Sequence, residues 1–226
     1  MRTLTAIIAL TLGAYATPAL ANDGNTAPSG PRIEAIFGYD RVEVGVDDTE
    51  DFDANAEDVT YGANIGYDFS RGMISFGVEA EISTSNLSDS ATFNDVELDG
   101  DLYNGVLRLD SNPDYYIGGR LGFGSHDKLV YIKAGYAMSS IDIDADGTVN
   151  GVPDAADADI DLDGLRLGIG FEYGLLENFY MKTEYRFTDY SGGEVEFEGQ
   201  SFGLDDELDA VNVNRHQVVV GAGLRF

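Results

Sequence analysis

In "VTYGANIGYDF" (Val59–Phe69) every second residue is apolar: Val59, Tyr61, Ala63, Ile65, Tyr67 and Phe69 alternate with Thr60, Gly62, Asn64, Gly66 and Asp68. Successive side chains of a β-strand point to opposite faces, so this run builds a ribbon with one apolar and one polar side. "GLRLGIGFEY" (Gly164–Tyr173) repeats the pattern, and further copies fall near 32–42, 73–84, 115–124, 129–141, 179–190 and 212–226. No stretch sustains the 3.6-residue period of an amphipathic helix, so the chain reads as all-β with eight strands.

The connections alternate in length. Three are short turns, at Ser70–Gly72, Ser125–Lys128 and Gly174–Asn178, and four are long, at roughly 43–58, 85–114, 142–161 and 191–211. Short turns at one end and long loops at the other describe an antiparallel up-and-down meander, which eight strands can close into a barrel without open edges. A strand of about 10–12 residues rising ~3.3 Å per residue and tilted by ~40° covers about 25–30 Å, the height of an outer-membrane apolar band.

Alternation alone does not say which face is inside, because a soluble ligand-carrying barrel would place the apolar face inward. Three features place it outward. Aromatic residues gather at strand ends, with Phe69, Phe123, Tyr173, Phe179 and Phe226 toward the short turns and Tyr39, Tyr61, Tyr115 and Tyr136 toward the long loops. These are the two girdles expected at lipid–water interfaces. The polar face is rich in glycine, as the crowded inside of a narrow barrel requires. Its charges also nearly cancel: Arg32, Arg120, Lys133, Arg166, Lys182, Arg186, Arg215 and Arg225 against Glu34, Asp40, Asp68, Glu79, Glu81, Glu172 and Glu184. The long loops, by contrast, carry 29 acidic residues and one basic residue, Arg108. A buried charge must be paired or it costs several kcal/mol, so the balanced face is the interior. The predicted fold is an eight-stranded antiparallel up-and-down transmembrane β-barrel.

The N-terminus has the layout of a secretory signal: a positive Met1-Arg2-Thr3, an apolar run over Leu4–Ala16 and a small-x-small site at Ala19-Leu20-Ala21. The run is shorter than the ~20 residues a spanning helix needs. The expected organisation is a signal peptide over 1–21, a flexible periplasmic linker over 22–31 and the barrel over 32–226. There is no cysteine, which excludes disulfides, thiolate metal sites and an N-terminal lipid anchor. Removal of Arg2 with the signal takes the formal net charge from −28 to −29, a value that repels phosphate backbones and excludes nucleic acid as a partner.

"VYIKAGYA" (Val130–Ala137), "EYRFTDYSG" (Glu184–Gly192) and the terminal "VVVGAGLRF" carry a resemblance to the small eight-stranded bacterial outer-membrane proteins, the group holding the OmpA barrel, OmpX and the opacity-like porin family. The resemblance spans the whole chain after the signal. It implies a bacterial outer-membrane location, with outer-membrane lipid and lipopolysaccharide as partners. It also implies a terminal signal read by the barrel-assembly machinery, which falls on Val218, Val220, Ala222, Leu224 and Phe226. Ending at Phe226, the chain is expected to lack the peptidoglycan-binding domain that follows the OmpA barrel. The group hosts structural proteins, adhesins and weak channels, so activity is left open.

Among residues that can carry chemistry, Glu79, Arg120, Lys133, Arg166 and Glu184 are expected at similar heights inside the barrel, with Glu81 and Arg186 just above. They can form a selectivity constriction or a salt-bridged filling; the narrowness of eight strands favours the filling. Asp142, Asp144 and Asp146, followed by Gly147, match the first half of a calcium-binding loop, but its twelfth position is Pro153 in place of glutamate and no helices flank it. Weakly bound divalent cations at the acidic loops are therefore the only cofactor expected.

His126, in a short turn, and His216, near the outer end of the last strand, build no nucleophile–base–orienter set, so the chain is read as no enzyme. The expected role is structural or surface-interactive, with acidic loops presented to cations, lipopolysaccharide or other cells. The alternative is a narrow, low-conductance channel for small solutes or cations.

Overall fold

A computed structural model describes residues 26–46, 53–85, 88–98, 101–197, 200–203 and 211–226. The signal sequence and the first residues of the expected linker lie outside the described residues. The strands are β1 (Gly30–Val46), β2 (Asp53–Arg71), β3 (Ile74–Ser85), β4 (Ser88–Leu98), β5 (Asp101–Ser111), β6 (Asp114–Gly124), β7 (Lys128–Val149), β8 (Val152–Gly174), β9 (Phe179–Phe197), β10 (Gln200–Gly203) and β11 (Val211–Arg225).

Eight of them, β1, β2, β3, β6, β7, β8, β9 and β11, pair antiparallel in a closed ring. The closing seam joins β11 to β1, with Phe37 opposite Val220 and Arg32 opposite Arg225. The seam's end is tied by the Phe226 N–H, which donates to the Pro31 carbonyl at 2.9 Å.

The apolar face points outward. On β7, Val130, Ile132 and Tyr136 are exposed while Tyr131, Lys133 and Ala137 are buried. Of the predicted aromatic girdle residues, Tyr39, Tyr61, Phe69, Tyr115, Phe123, Tyr136, Tyr173 and Phe226 are exposed on the outside and Phe179 is half-buried. Glycines on the inner face make room for large side chains from the next strand. A Cβ on Gly170 would lie 2.3 Å from the Tyr131 ring, and one on Gly223 would lie 2.5 Å from the Tyr180 ring.

The regions expected as long loops contain β-structure. β7 and β8 continue well past the rim to a two-residue turn at Asn150-Gly151, where φ is +54° and +78°. Asn-Gly suits such a turn because both positions need positive φ. The segment expected as the loop 85–114 holds the hairpin β4–β5, which pairs through β5 with the upper part of β7. β10 adds to the upper part of β9. Together β4, β5, β10 and the upper parts of β7, β8 and β9 form a blade beyond the long-loop rim of the barrel.

Above the rim the polarity of the alternation inverts. Continuing the phase of β7, Ile141 and Ile143 follow the inner positions, whereas Asp144 and Asp146 are exposed on the outer ones. On β8, Ile160, opposite Ile141, and Leu162, opposite Ser139, share the inner phase, and Asp157, Asp159 and Asp161 the outer phase. In the bilayer the wall turns grease outward; in water it turns aspartates outward. A register shift at Asp163/Gly164, where Ser191 of β9 has no opposite number, lies close to the level of this inversion.

The expected linker over 22–31 is shorter than its composition suggests. Gly30 and Pro31 already belong to β1, and Ala27 is buried beneath the barrel with Leu129 and Tyr131. The Ala27 N–H donates to the Gly72 carbonyl in the β2–β3 turn at 2.7 Å. This segment covers part of the short-turn end of the lumen.

Candidate functional site

The lumen is the densest concentration of chemistry-bearing side chains. Each charge is placed by the inward phase of its strand, and each is long enough to cross part of a narrow barrel. At mid-depth Lys133 on β7 reaches Glu79 on β3 at 2.8 Å and Glu184 on β9 at 3.0 Å. Arg186 clamps Glu81 with two hydrogen bonds of 2.6 and 2.8 Å and also donates to Glu184. The Arg166 Nε donates to Thr188 Oγ1 at 2.9 Å, and its Nη1 stands 3.6 Å from Glu81. Six of the seven residues expected to meet inside the barrel therefore do meet.

Arg120 departs from the expected height. Its Cα lies opposite Lys133, but its side chain runs toward the short-turn end and donates to Asp68 at 2.8 and 2.5 Å and to Glu172. The reach of a guanidinium, rather than the position of its Cα, decides the layer. That lower layer contains residues that a height estimate from strand position omits. Arg32 joins Glu34, Asp68 and Glu79; Lys182 joins Glu34; Arg225 reaches Asp68 at 3.1 Å and Glu172 at 2.9 Å.

Interior tyrosines add hydrogen bonds to two of these carboxylates and cover cations. Tyr180 donates to Glu34 at 2.6 Å and Tyr131 donates to Glu184. Lys133 sits 4.4 Å over the Tyr116 ring and Arg225 sits 4.4 Å over the Tyr180 ring.

A second cluster closes the outer end of the lumen. Arg215 on β11 donates to both Asp40 oxygens at 2.9 and 2.8 Å and to Asp114 at 2.6 Å, with Tyr190 at 3.2 Å. Asp114 begins β6 and falls in the expected loop 85–114, so among the described residues it supplies an eighth interior carboxylate against eight interior cations. Small or uncharged side chains, including Thr60, Ser83, Ala137, Thr188 and Gln217, are buried on the inner face beside these charges. Arg166 and Arg186 are wholly inaccessible to solvent. Chemically, the arrangement is a neutral, cross-linked polar core.

The proposed cation ligands Asp142, Asp144 and Asp146 lie on the upper part of β7, opposite Asp159, Asp157 and Ala155 of β8. They step along one side of an extended ladder, whereas a calcium loop curls so that its carboxylates converge. Two already accept hydrogen bonds: Asp146 from Arg108 at 2.6 Å and Asp142 from Asn112 at 2.8 Å. Among the described residues no group of three or more His, Asp or Glu side chains is placed to hold a metal ion. The loop-like convergence expected from the sequence is thus replaced by a strand.

His216 lies on the lipid side, where its Nδ1 shares a 2.7 Å hydrogen bond with the Tyr185 hydroxyl and its ring lies 5.1 Å from that of Phe187. His126 stays in the β6–β7 turn. Of the terminal residues read as an assembly signal, Val218, Val220, Leu224 and Phe226 are exposed on the outer face and Ala222 is half-buried there.

The family model described as outer membrane protein beta-barrel domain matches residues 7–226. The chain is 26% identical over 180 residues to the 22 kDa outer membrane protein of Rhizobium leguminosarum bv. viciae, a match covering 78% of this chain and 71% of that protein. It is also 26% identical over 170 residues to the 25 kDa outer-membrane immunogenic protein of Brucella abortus biovar 1 (strain 9-941), covering 75% and 67%. Among solved structures, it aligns with OprG from Pseudomonas aeruginosa at 14% identity and a TM-score of 0.49, covering 88% of this chain and 98% of that one. Neisserial surface protein A aligns at 13% identity and a TM-score of 0.48, again covering 88% and 98%. With nearly its full length matched by that model, and with a closed ring whose apolar face is turned outward, the chain belongs to the outer-membrane β-barrel protein family and is a protein of the bacterial outer membrane.

Proposed function

We propose that the protein acts as a structural and surface-interaction component of the outer membrane, holding an acidic extracellular blade on a barrel that does not conduct. The observation that carries this reading is the cross-linked lumen. An ion crossing it would have to separate the Arg215–Asp40–Asp114 cluster and then the Lys133–Glu79–Glu184 and Arg186–Glu81 bridges. Removing one partner from a buried ion pair costs about 3–5 kcal/mol, so thermal opening of several at once is rare.

The blade supplies the interaction surface. Its outer positions Asp144, Asp146, Asp157, Asp159 and Asp161 are exposed, with Arg108 as the cation beside them. Such a surface attracts divalent cations and basic partner surfaces and deters anions. The Brucella relative is called immunogenic, a description compatible with surface display in this protein too. Lipopolysaccharide is the lipid partner, and the barrel-assembly machinery reads the outward stripe ending at Phe226. The protein is read as non-enzymatic, and lipid A mass spectra from expressing and deleted cells should be identical.

Planar-bilayer recording tests the main reading. The purified barrel should give no steady single-channel steps in 1 M salt, a concentration of about the order that maximises pore currents while leaving buried pairs little screened. Regular steps of defined size would replace this reading with that of a narrow solute channel.

A further inference from the structure

Phe93, Gly105, Gly147 and Asp154 stand in one row across β4, β5, β7 and β8, each directly opposite the next. Residues paired directly across strands project to the same side of the sheet. The row therefore begins with an aromatic ring, passes two residues without side chains and ends at a carboxylate. A Cβ on Gly105 would lie 2.9 Å from the tip of the Phe93 ring, so the ring leans over β5. A Cβ on Gly147 would meet backbone only, 2.3 Å from the Asn104 carbonyl oxygen. Beyond the ring the floor is bare backbone.

The neighbouring rows form the walls. Ala145 and Ala156, opposite one another, line it on the barrel side, and Val149 lines it on the tip side. The result is a groove of about 200 Å³ with Phe93 and Asp154 among its lining residues.

We propose that this groove binds a small primary alkylammonium ion. The aliphatic body lies on Gly147 between Ala145, Ala156 and Val149, its free end against the Phe93 ring over Gly105, and the ammonium donates to the Asp154 carboxylate. Three inter-strand spacings amount to about 14 Å, of which the ring covers the first, so a chain of roughly four to six carbons fits the remainder. The chemistry selects against the alternatives. An anion would face Asp154 and the exposed Asp144, Asp146 and Asp157 of the same blade, whose field concentrates cations instead. A neutral alcohol would leave the carboxylate without a counter-charge. The nearby cation Arg108 does not fill the role, because it is held by Asp146 at 2.6 Å.

The test is a titration of the folded, isotope-labelled full-length barrel in micelles with n-hexylammonium chloride, following the amide resonances of Gly105 and Gly147. Saturable shifts at both glycines are expected, with hexanol and hexanoate giving none. Asp154→Asn should weaken binding about tenfold, a loss equivalent to ~1.4 kcal/mol. Gly147→Val, which fills the floor, should abolish it. Asp144→Asn, on the opposite side of the sheet, should change it less than about twofold, as expected for a distant screened charge. Equal weakening by Asp144→Asn would mean a diffuse counter-ion cloud and overturn the proposal. So would a hexanol response matching that of hexylammonium, or undiminished binding by Asp154→Asn. A lysine-bearing tetrapeptide that binds where hexylammonium does not would also overturn it, in favour of a protein ligand. None of these outcomes depends on whether the barrel conducts.

Discussion

Replacing Arg215 with methionine removes the one cation of the outer lumen cluster while keeping the length and apolar stem of the side chain. Asp40 and Asp114, 1% and 2% exposed, would then remain without their shared guanidinium. Removing one partner of a buried pair costs about 3–5 kcal/mol. At ~1.4 kcal/mol per tenfold, that is roughly a hundred- to several-thousand-fold fall in the folded-to-unfolded ratio. The assay is a urea titration of the protein refolded in lipid vesicles, with the folded fraction scored as the band that shifts on heating. Adding Asp40→Asn and Asp114→Asn to the same chain removes the stranded charges, and most of the lost stability should return. A loss within about 1 kcal/mol for Arg215→Met, the value of a solvent-exposed pair, would refute the reasoning, because it would mean that water already screens the cluster.

Other substitutions probe separate parts of the account. Gly170→Val forces a side chain against the Tyr131 ring, 2.3 Å from the Cβ position, and should cost about 1–3 kcal/mol in the same urea titration. Gly151→Val places a β-branched residue at φ +78° in the blade turn and should raise proteolysis between Val149 and Val152 while leaving the heat-modifiable band unchanged. Phe226→Ala removes the exposed aromatic end of the outer stripe, and cell fractionation should find less folded protein in the outer membrane at equal expression.

The barrel itself was legible because its signal is local and repeated. Val59–Phe69 and Gly164–Tyr173 state the face of each residue without reference to the rest of the chain. The interior charge set was legible for a related reason: balance between Arg or Lys and Asp or Glu on one phase can only mean enclosure. Which charges meet was harder to see. Arg120 and Lys133 are register partners, yet one bonds toward Asp68 and the other to Glu79 and Glu184. Long side chains choose partners in three dimensions.

The blade was hidden by composition. In Asp142–Asp146 the alternation is as regular as in Val130–Met138, but its outer residues are aspartates, and three acids in five residues resemble a solvated loop. The inverted polarity is what a wall must show on leaving lipid for water. Asn150-Gly151 was the local sign that this stretch is a hairpin. Asp114 was missed for the same reason, since it lies at the end of an acid-rich segment in which Asp110 is exposed.

The chain has no cysteine, so single cysteines placed in turn from Val130 to Asp146 on β7 give the most direct test. Each carries a nitroxide whose collisions with oxygen, enriched in lipid, and with a water-soluble nickel complex are measured in vesicles. At 130, 132, 134, 136 and 138 oxygen contact should dominate, and at 144 and 146 nickel contact should, with 131, 133, 135 and 137 shielded from both. Nickel contact at the even positions below the rim, or lipid contact at Tyr131, Lys133 and Gly135, would contradict the assignment of the apolar face to lipid and the charged face to a sealed lumen.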